Sequence, residues 1–370
     1  MAGIYVHIPF CRQLCYYCDF YKCISLARKE QLLDAVMEEL SAERDFIPDR
    51  SVETIYFGGG TPSVYPPERL QQVIDRIRSL WDCSRVGEIT CEVNPDDLTD
   101  DYLERLAATD VNRLSVGIQS FDEEDLKRMN RRHTGEQAYR AVEAARRAGF
   151  GNITIDLIFG LPWQPESTLA ENLRRVTELR PEHVSAYHLT IEEKTVFGRM
   201  ASAGRLAPID EGVGEREYLT VHEVLTRAGY EHYEISNYAL PGYRARHNSS
   251  YWTGSNYLGV GPSAHSYNGR VRRMAVASVG RYLAGGDIYT GETLGEEELY
   301  DEYVMLSLRR SEGVDIRELE RRFGAARRDY FIRGCRKMLA CGHLLAEGTF
   351  YRIPAEYFLI SDAIICELFA

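Results

Sequence analysis

Three cysteines close to the amino terminus have the spacing of a metal-binding loop. Cys11, Cys15 and Cys18 follow one another as C-x3-C-x2-C. Thiolates are soft ligands, and soft ligands select iron–sulfur clusters or zinc. A structural zinc ion normally takes four protein ligands, whereas a four-iron cluster held by three cysteines keeps one iron free for another molecule. The spacing therefore favours a cluster.

Two alternatives stay open on the spacing alone. His7 or Cys23 would complete a zinc site, and Cys23 is the better placed of the two. His7 lies in the alternating apolar run of residues 3–8, which is typical of a strand that enters the core. Cys15 and Cys18 also have the C-x-x-C spacing of a redox-active pair. Residues able to bind a molecule at the free iron would favour the cluster over the zinc site and the redox pair.

The composition limits the class of protein. The chain has 370 residues, a net charge of −12 at pH 7 and nine cysteines. This length favours one large α/β unit with a smaller appendage. The negative charge argues against a nucleic-acid partner, whose phosphates are bound by Lys and Arg. An odd cysteine count, no secretory signal and no apolar run near the ~20 residues of a membrane span predict a cytoplasmic protein.

Strand-like and helix-like stretches alternate through the first half of the chain. The strand candidates are residues 3–8, 52–57, 88–93, 111–118, 153–159 and 183–188. The helix candidates between them are residues 29–44, 67–80, 100–107, 137–147 and 166–179. Six β-α repeats predict an α/β fold with a parallel sheet curved into a partial TIM-type barrel. A flat, doubly wound sheet is the alternative.

Polar residues and glycines follow the ends of these predicted strands, where barrel active sites form. The glycines at 58–60 let a ligand approach the backbone closely, and Thr61 adds a hydroxyl. Glu92 and Asp156 can accept hydrogen bonds from an ammonium or a ribose hydroxyl, and Arg131 can pair with a carboxylate. Taken alone, the glycines are better explained by a tight turn, and each charged residue by a solvated or ion-paired surface position. Together they predict one site at one rim.

The cysteine motif, with the aromatic Tyr17 before its last cysteine, resembles that of the radical S-adenosylmethionine (SAM) superfamily. The resemblance implies a [4Fe–4S] cluster on the three cysteines, with the methionine part of SAM bound to the fourth iron. The glycine segment and the order Asn130-Arg131 are similar to the coproporphyrinogen-oxidase-like branch of that superfamily. The resemblance implies SAM contacts by Tyr5, Tyr17, Gly59, Gly60, Thr61, Glu92, Gln119, Arg131 and Asp156.

A second motif lies at residues 247–252, H-N-S-S-Y-W. One interpretation is structural: residues 248–250 form a turn, and Tyr251 and Trp252 anchor it. The other is a porphyrin site, because imidazole is a strong iron ligand and aromatic rings pack on a flat macrocycle. The motif resembles the His-Asn-x-x-Tyr-Trp signature of HemW-type haem chaperones. That resemblance implies that His247 binds haem iron and that Tyr251 and Trp252 belong to the haem site.

Two functions follow from these resemblances. The first is a haem chaperone that binds cluster, SAM and haem and delivers haem to apo-haemoproteins, among them membrane-associated respiratory cytochromes. The alternative is oxygen-independent coproporphyrinogen III oxidase, or another radical SAM reaction on a tetrapyrrole. That oxidase carries a further cysteine two positions beyond the third ligand, where Phe20 stands here. We therefore expect no coproporphyrinogen oxidase activity, while transient membrane contact and a homodimer are both compatible with the chaperone.

Three regions are expected. Residues 1–205 form the radical SAM partial barrel, residues 206–295 connect and carry the haem motif, and residues 296–370 form a winged-helix-like appendage of the HemN type. In the appendage we predict helices at 298–308, 316–323 and 328–340 and a strand at 350–353. Acidic residues are interspersed among its arginines, so the appendage is expected to pack or to contact a partner rather than to bind DNA.

Overall fold

Strands and helices alternate in the first half of the chain, as the sequence predicts. The computed structural model describes residues 2–370. The first six strands are β1 (Ala2–Ile8), β2 (Thr54–Gly59), β3 (Glu88–Val93), β4 (Arg113–Gln119), β5 (Ile153–Phe159) and β6 (His183–His188). The helices among them are α1 (Lys29–Ala42), α2 (Pro67–Leu80), α3 (Asp100–Ala107), α4 (Glu123–Arg128), α5 (Gly135–Arg147) and α6 (Glu166–Leu179).

The six strands are parallel, and each lies beside its neighbour in the chain, in the order β1-β2-β3-β4-β5-β6. A doubly wound sheet would reverse its strand order at a switch point, and this sheet does not. The predicted partial barrel is therefore confirmed, and the flat alternative is wrong. The carboxyl ends of all six strands meet at one rim.

Side-chain alternation separates the outer face of the barrel from its interior. In β1, Ile4, Val6 and Ile8 are at most 1% exposed and belong to the main apolar core. Tyr5 and His7 point the opposite way, and the Tyr5 hydroxyl lies 3.0 Å from His7 Nδ1. Successive side chains of a strand lie on opposite faces, so one short run supplies both the core under the helices and a polar interior.

The middle of the chain extends the sheet on both sides. Its elements are α7 (Val196–Ser202), α8 (Glu211–Arg227), β7 (Glu231–Glu234), β8 (Asn237–Ala239), α9 (Arg246–Trp252), β9 (Asn256–Val260), β10 (His265–Tyr267), β11 (Val271–Ala275), α10 (Val279–Ala284) and β12 (Tyr289–Thr293). The strand β9 pairs in parallel with β1, and β8 pairs antiparallel with β6. The complete order is β12-β11-β10-β9-β1-β2-β3-β4-β5-β6-β8-β7.

The turn predicted at residues 248–250 is wrong, because these residues lie in α9. The helix has no side-chain cap from its own preceding residue. Instead, the carboxylate of Glu88 in β3 accepts hydrogen bonds from the backbone N–H groups of Arg246 and His247, both at 2.8 Å. A carboxylate at these otherwise unpaired amides stabilises the start of the helix. The partner is distant in sequence, so local turn chemistry does not reveal it.

The last part of the chain packs against the barrel. It contains α11 (Glu296–Leu308), β13 (Val314–Asp315), α12 (Ile316–Ala340), β14 (Leu345–Glu347), β15 (Phe350–Arg352) and α13 (Ser361–Cys366), and the three strands form a small sheet in the order β13-β15-β14. Short 3₁₀ helices occur at Leu26–Arg28, Pro62–Val64, Pro95–Asp97 and Ala355–Ile360. The helix α12 is interrupted at Gly324, whose φ is 83°, so the two predicted helices fall on either side of this break.

One apolar core joins this part to the barrel. Tyr300, Val304 and Phe358 belong to the same buried cluster as the strands β1–β6, and the Tyr218 hydroxyl donates to the carbonyl of Ala355 at 2.8 Å. Among residues 2–370, no helix has the length and apolar character needed to cross a bilayer.

Candidate functional site

A cavity of about 460 Å³ opens at the carboxyl rim of the barrel. It contains the three cysteines of the loop that follows β1. Every residue that the sequence analysis assigned to SAM lines it except Tyr5: these are Tyr17, Gly59, Gly60, Thr61, Glu92, Gln119, Arg131 and Asp156. Five of these eight, Gly59, Gly60, Thr61, Glu92 and Gln119, lie at or just after the ends of strands, as expected for polar residues that share one rim.

Backbone hydrogen bonds close the base of the cysteine loop. The Cys11 N–H donates to the carbonyl of Cys23 at 3.1 Å, and the Cys23 N–H donates to the carbonyl of Pro9 at 2.7 Å. The Arg131 guanidinium donates to Cys15 Sγ at 3.3 Å. Burial raises the pKa of Cys11 to about 11, which a hydrogen bond from Thr61 partly offsets. The Cys11 thiol is therefore protonated in the ligand-free protein and releases a proton when it binds metal.

The two candidates for a fourth zinc ligand lie outside the lining of this cavity. Cys23 Sγ lies 3.5 Å from the carbonyl of Ser25, where it donates a weak hydrogen bond. His7 is 4% exposed and lies between the Tyr5 hydroxyl and the carbonyl of Tyr21. In the part of the chain from residue 2 to 370, no three His, Cys, Asp or Glu side chains are close enough together to bind one metal ion.

The residues around the loop fit a cluster of iron and sulfide with three cysteine ligands. Three soft donors face one cavity, and Arg131 supplies a positive charge beside them. The Nε atom of Arg131 is buried without a hydrogen-bond partner among the described residues. The backbone of Gly60 is packed so closely that an added Cβ would lie 2.7 Å from the carbonyl oxygen of Phe10. Only glycine therefore fits at that point of the rim.

Two buried carboxylates form the acidic part of the cavity. Glu92 accepts hydrogen bonds from the Tyr56 hydroxyl at 2.8 Å and from the Gly59 N–H at 3.1 Å. Burial raises the pKa of Glu92 to about 7, the hydrogen bond from Tyr56 lowers it, and Asp156 raises it further. Burial likewise raises the pKa of Asp156 to about 6, against hydrogen bonds from Ser185 and Ser115. The two groups change charge near neutral pH and can accept hydrogen bonds from a cationic ligand.

The guanidinium of Arg131 is held by a carbonyl of β4 and by the side chain that directly follows β3. It donates to the carbonyl of Gly117 at 2.6 Å and to Asn94 Oδ1 at 2.9 Å. Next to it, Gln119 has a φ of 70° and follows an irregularity in the pairing of β4 with β5. A non-glycine residue in this backbone region is strained, and such strain is concentrated at functional sites.

Sequence reasoning missed several lining residues. Asn94, Tyr187 and His188 line the cavity, and Asn94 also donates to Thr61 Oγ1 at 3.1 Å. Asn94 directly follows β3, and Tyr187 and His188 end β6. The strand-end rule that selected Glu92 and Gln119 would have selected them as well.

The residues of the second motif lie away from this rim. His247 is fully buried, with Nδ1 2.8 Å from Thr54 Oγ1 and Nε2 2.8 Å from the Tyr251 hydroxyl. Thr54 begins β2, so His247 lies at the opposite end of the barrel strands. Burial lowers the pKa of His247 to about 3, which keeps the imidazole neutral. Trp252 is half-buried at the end of α9.

Tyr5 and Tyr56 occupy the barrel interior between the two ends. The Tyr56 ring is stacked on His247 with 5.1 Å between centroids, and its hydroxyl reaches Glu92. Tyr5 packs beside both, at 6.0 Å from Tyr56 and 6.4 Å from His247. The structure therefore places Tyr5 beneath the cavity rather than in its lining.

Two protein-family models match the chain. The model of the radical SAM superfamily matches residues 5–176, and that of the HemN C-terminal domain matches residues 294–356. Among solved structures, coproporphyrinogen III oxidase (HemN) from Escherichia coli has a TM-score of 0.84 at 25% identity, over 100% of this chain and 90% of that chain. The fold and the three-cysteine loop thus define the radical SAM class.

Curated relatives narrow the class. The protein named heme chaperone HemW from Lactococcus lactis is 37% identical over 86% of this chain and 84% of its own length. The protein of the same name from Bacillus subtilis is 36% identical over 88% of this chain and 87% of its own length. The HemW protein of Mycobacterium tuberculosis is 32% identical over 98% of this chain and 93% of its own length. The chain belongs to the HemW family, and the resemblance drawn from its motifs is confirmed.

Proposed function

We propose that this protein is a haem chaperone, which binds a [4Fe–4S] cluster, SAM and haem and delivers the haem to apo-haemoproteins such as respiratory cytochromes. The observation that carries this proposal is the similarity, over most of the chain, to proteins named heme chaperone HemW. The motif at His247, Tyr251 and Trp252 supports it, because an imidazole and two aromatic rings suit a haem ligand.

In this proposal the rim cavity binds the cluster and SAM. Cys11, Cys15 and Cys18 hold the cluster, which when bound can pass an electron to SAM. The backbone at Gly59 and Gly60 and the hydroxyl of Thr61 approach the methionine part of SAM. Glu92, Gln119, Arg131 and Asp156 bind its polar groups, and Tyr17 packs against it. The guanidinium of Arg131 balances the negative charge of the thiolates.

Haem binding by His247 requires a local rearrangement. Both ring nitrogens are engaged, by Thr54 and Tyr251, so one hydrogen bond must open before the imidazole reaches iron. The low pKa is an advantage here because no proton has to leave the ring first. The short helix α9 is the element whose shift would free the ring.

The enzymatic alternative has one specific observation in its favour, the TM-score of 0.84 with coproporphyrinogen III oxidase. Phe20 argues against it. This side chain is 71% exposed at the edge of the rim cavity. It stands at the position where the resemblance to the oxidase family implies an additional cysteine. We therefore retain the chaperone as the proposed function.

The proposal extends to the organisation of the chain. We infer a partial barrel in residues 1–205, a connecting region with the haem motif in 206–295 and a winged-helix-like appendage in 296–370. Support for the last boundary comes from the start of α11 at Glu296. We propose that the protein is cytoplasmic, makes transient contact with membrane-associated acceptors, and uses the appendage for packing or partner contact.

The function is tested by titrating anaerobically reconstituted protein with haem, with and without SAM. We expect one haem per chain and a spectrum typical of histidine ligation. A parallel incubation contains reduced protein, SAM and coproporphyrinogen III, and we expect no protoporphyrinogen. Steady formation of protoporphyrinogen would replace the chaperone with the oxidase, and failure to bind haem would reject the chaperone outright.

Replacing Glu92 by Gln should weaken SAM binding by about tenfold or more, because the substitution removes the anion that would face the SAM ammonium. Since the pKa of Glu92 is about 7, the affinity of the parent protein should rise between pH 5.5 and 7.5. Asp156, whose pKa is about 6, remains in the variant, so the variant should keep only the rise at the acidic end of this range. The measurement is calorimetric titration with SAM at each pH.

Glu39→Gln is the matched control. Glu39 is also buried, also accepts a glycine N–H, from Gly261 at 2.7 Å, and also accepts hydrogen bonds from tyrosine hydroxyls. It does not line the rim cavity. This variant should keep the SAM affinity and pH dependence of the parent. Equal losses in both variants would show that Glu92 acts through stability alone.

A further inference from the structure

A second cavity, of about 430 Å³, lies beside α9 at the end of the barrel opposite the rim. Its walls include Thr54, the first residue of β2, together with Ser249 and Trp252 of α9. We call it the arginine cavity because Arg85, Arg244, Arg246 and Arg310 line it. None of the cluster or SAM residues named above takes part in it.

The charges of the arginine cavity do not balance. Its four arginines face two glutamates, Glu53 and Glu312. Arg85 pairs with Glu53 at 3.1 Å, and Arg244 pairs with Glu312 and with Glu231 outside the cavity. Glu88 contacts only the backbone N–H of Arg246. Among residues 2–370, the guanidinium groups of Arg246 and Arg310 have no carboxylate oxygen within 4.0 Å. In a chain whose net charge is −12, two uncompensated cations in one cavity indicate an anionic ligand.

Unused hydrogen-bond donors point to the same conclusion. Arg310 Nε and Ser249 Oγ are both buried, and neither has a hydrogen-bond partner in the described part of the chain. A buried donor without an acceptor is costly, and a ligand that supplies the acceptor removes that cost. A carboxylate satisfies both the charge and the donors, and a guanidinium binds it with two parallel hydrogen bonds.

The remaining walls suit a flat apolar body. Trp252 presents its indole, and the Arg309 guanidinium lies 5.9 Å from the indole centroid. Tyr233 contributes a second ring, with Arg244 at 5.2 Å from its centroid. Aromatic rings backed by guanidinium groups favour a ligand that combines a π-surface with negative charge.

Thr54 connects this cavity to His247 of the haem motif. Thr54 lines the cavity, and its Oγ1 is 2.8 Å from Nδ1 of His247. His247 thus lies one side chain behind the wall, and release of this hydrogen bond would turn Nδ1 towards the cavity. The aromatic surface, the unpaired cations and an imidazole occur together at one place.

We propose that the arginine cavity binds the carboxylate edge of a porphyrin, with Arg246 and Arg310 paired to its two propionates and Trp252 packed on its macrocycle. This inference rests on the proposed haem function, and it adds the groups that recognise the propionates. It also assigns Nδ1 of His247 as the nitrogen that faces the iron.

The test compares iron protoporphyrin IX with its dimethyl ester, which has the same macrocycle and iron without the carboxylates. The full-length double variant Arg246→Gln/Arg310→Gln should bind haem about tenfold or more weakly than the parent does. Its affinity for the ester should equal that of the parent. Arg246→Lys/Arg310→Lys keeps the charge and should regain most of the haem affinity.

Arg333→Gln/Arg336→Gln is the matched control, because it changes the net charge equally at exposed positions of α12 outside the cavity. It should bind haem as the parent does. Unchanged haem affinity in the Arg246/Arg310 variant, or equal losses for haem and ester, would overturn the propionate site while leaving the haem function standing. Failure of the unchanged protein to bind haem would overturn both.

Discussion

Replacing Cys15 by Ser is expected to abolish cluster assembly. The substitution replaces a soft sulfur ligand with a hydroxyl that binds iron poorly, and two thiolates remain of the three that face the rim cavity. Mutation of a residue that only hydrogen-bonds to a metal ligand already lowers metal affinity by about 10–100-fold. Removal of a ligand itself should lower the affinity for the cluster by more than that. Iron and sulfide content and the visible absorption of the reconstituted protein measure the effect.

Cys23→Ser is the control, and it also addresses the zinc alternative. Cys23 ties the base of the loop through its backbone, while its Sγ lies against the carbonyl of Ser25. Serine preserves the backbone contacts, so this variant should assemble a full cluster. If instead the parent protein contained zinc and Cys23→Ser lost it, the cluster assignment would be wrong.

His247→Ala is expected to weaken haem binding at least tenfold, equivalent to about 1.4 kcal/mol, and to remove the spectral signature of histidine ligation. The side chain is buried, so the substitution also leaves a small cavity beside Tyr56 and Tyr5. The cluster, at the other end of the barrel strands, should remain intact. Haem titration and iron content measured on the same preparation separate the two effects.

His133→Ala is the matched control for a lost buried histidine. His133 is 3% exposed, and its Nε2 lies 3.0 Å from the carbonyl of Ile118, away from α9. Thr54→Val and Tyr251→Phe then identify the iron-binding nitrogen. If Nδ1 is the ligand, Thr54→Val should strengthen haem binding about fivefold, the worth of one hydrogen bond of ~1 kcal/mol, and Tyr251→Phe should not. Unchanged haem spectra in His247→Ala would exclude the residue as a ligand.

Much of the barrel follows from the sequence because its signals are local. The strands predicted at 88–93, 153–159 and 183–188 have the observed bounds, as does the helix predicted at 67–80. Apolar periodicity fixes such elements wherever both faces of a strand or one face of a helix are buried. The aromatic-rich segment at residues 230–238 contains parts of two strands, β7 and β8, because a turn after Glu234 separates them.

The candidate site was predictable only in part. Positions at strand ends gathered at the rim as expected, because a parallel barrel brings those ends together. Tyr5 did not join them, since the alternation that buries Ile4 and Val6 directs it into the interior, below the rim. The unpaired state of Arg246 and Arg310 could not be read from the chain either. Whether an arginine has an ion-pair partner depends on which carboxylates the fold brings close to it, and such carboxylates can come from distant parts of the sequence.

The position of Tyr56 has a consequence for how the two ends of the barrel communicate. The Tyr56 hydroxyl donates a hydrogen bond to Glu92 at the rim, and the Tyr56 ring is stacked on the imidazole of His247. A ligand that displaces the Tyr56 hydroxyl from Glu92 would therefore change the ring contact of His247 without touching the imidazole. Thermodynamic linkage makes such coupling mutual. If a ligand in the rim cavity changes the affinity for a ligand at His247 by some factor, the ligand at His247 changes the affinity of the rim cavity by the same factor.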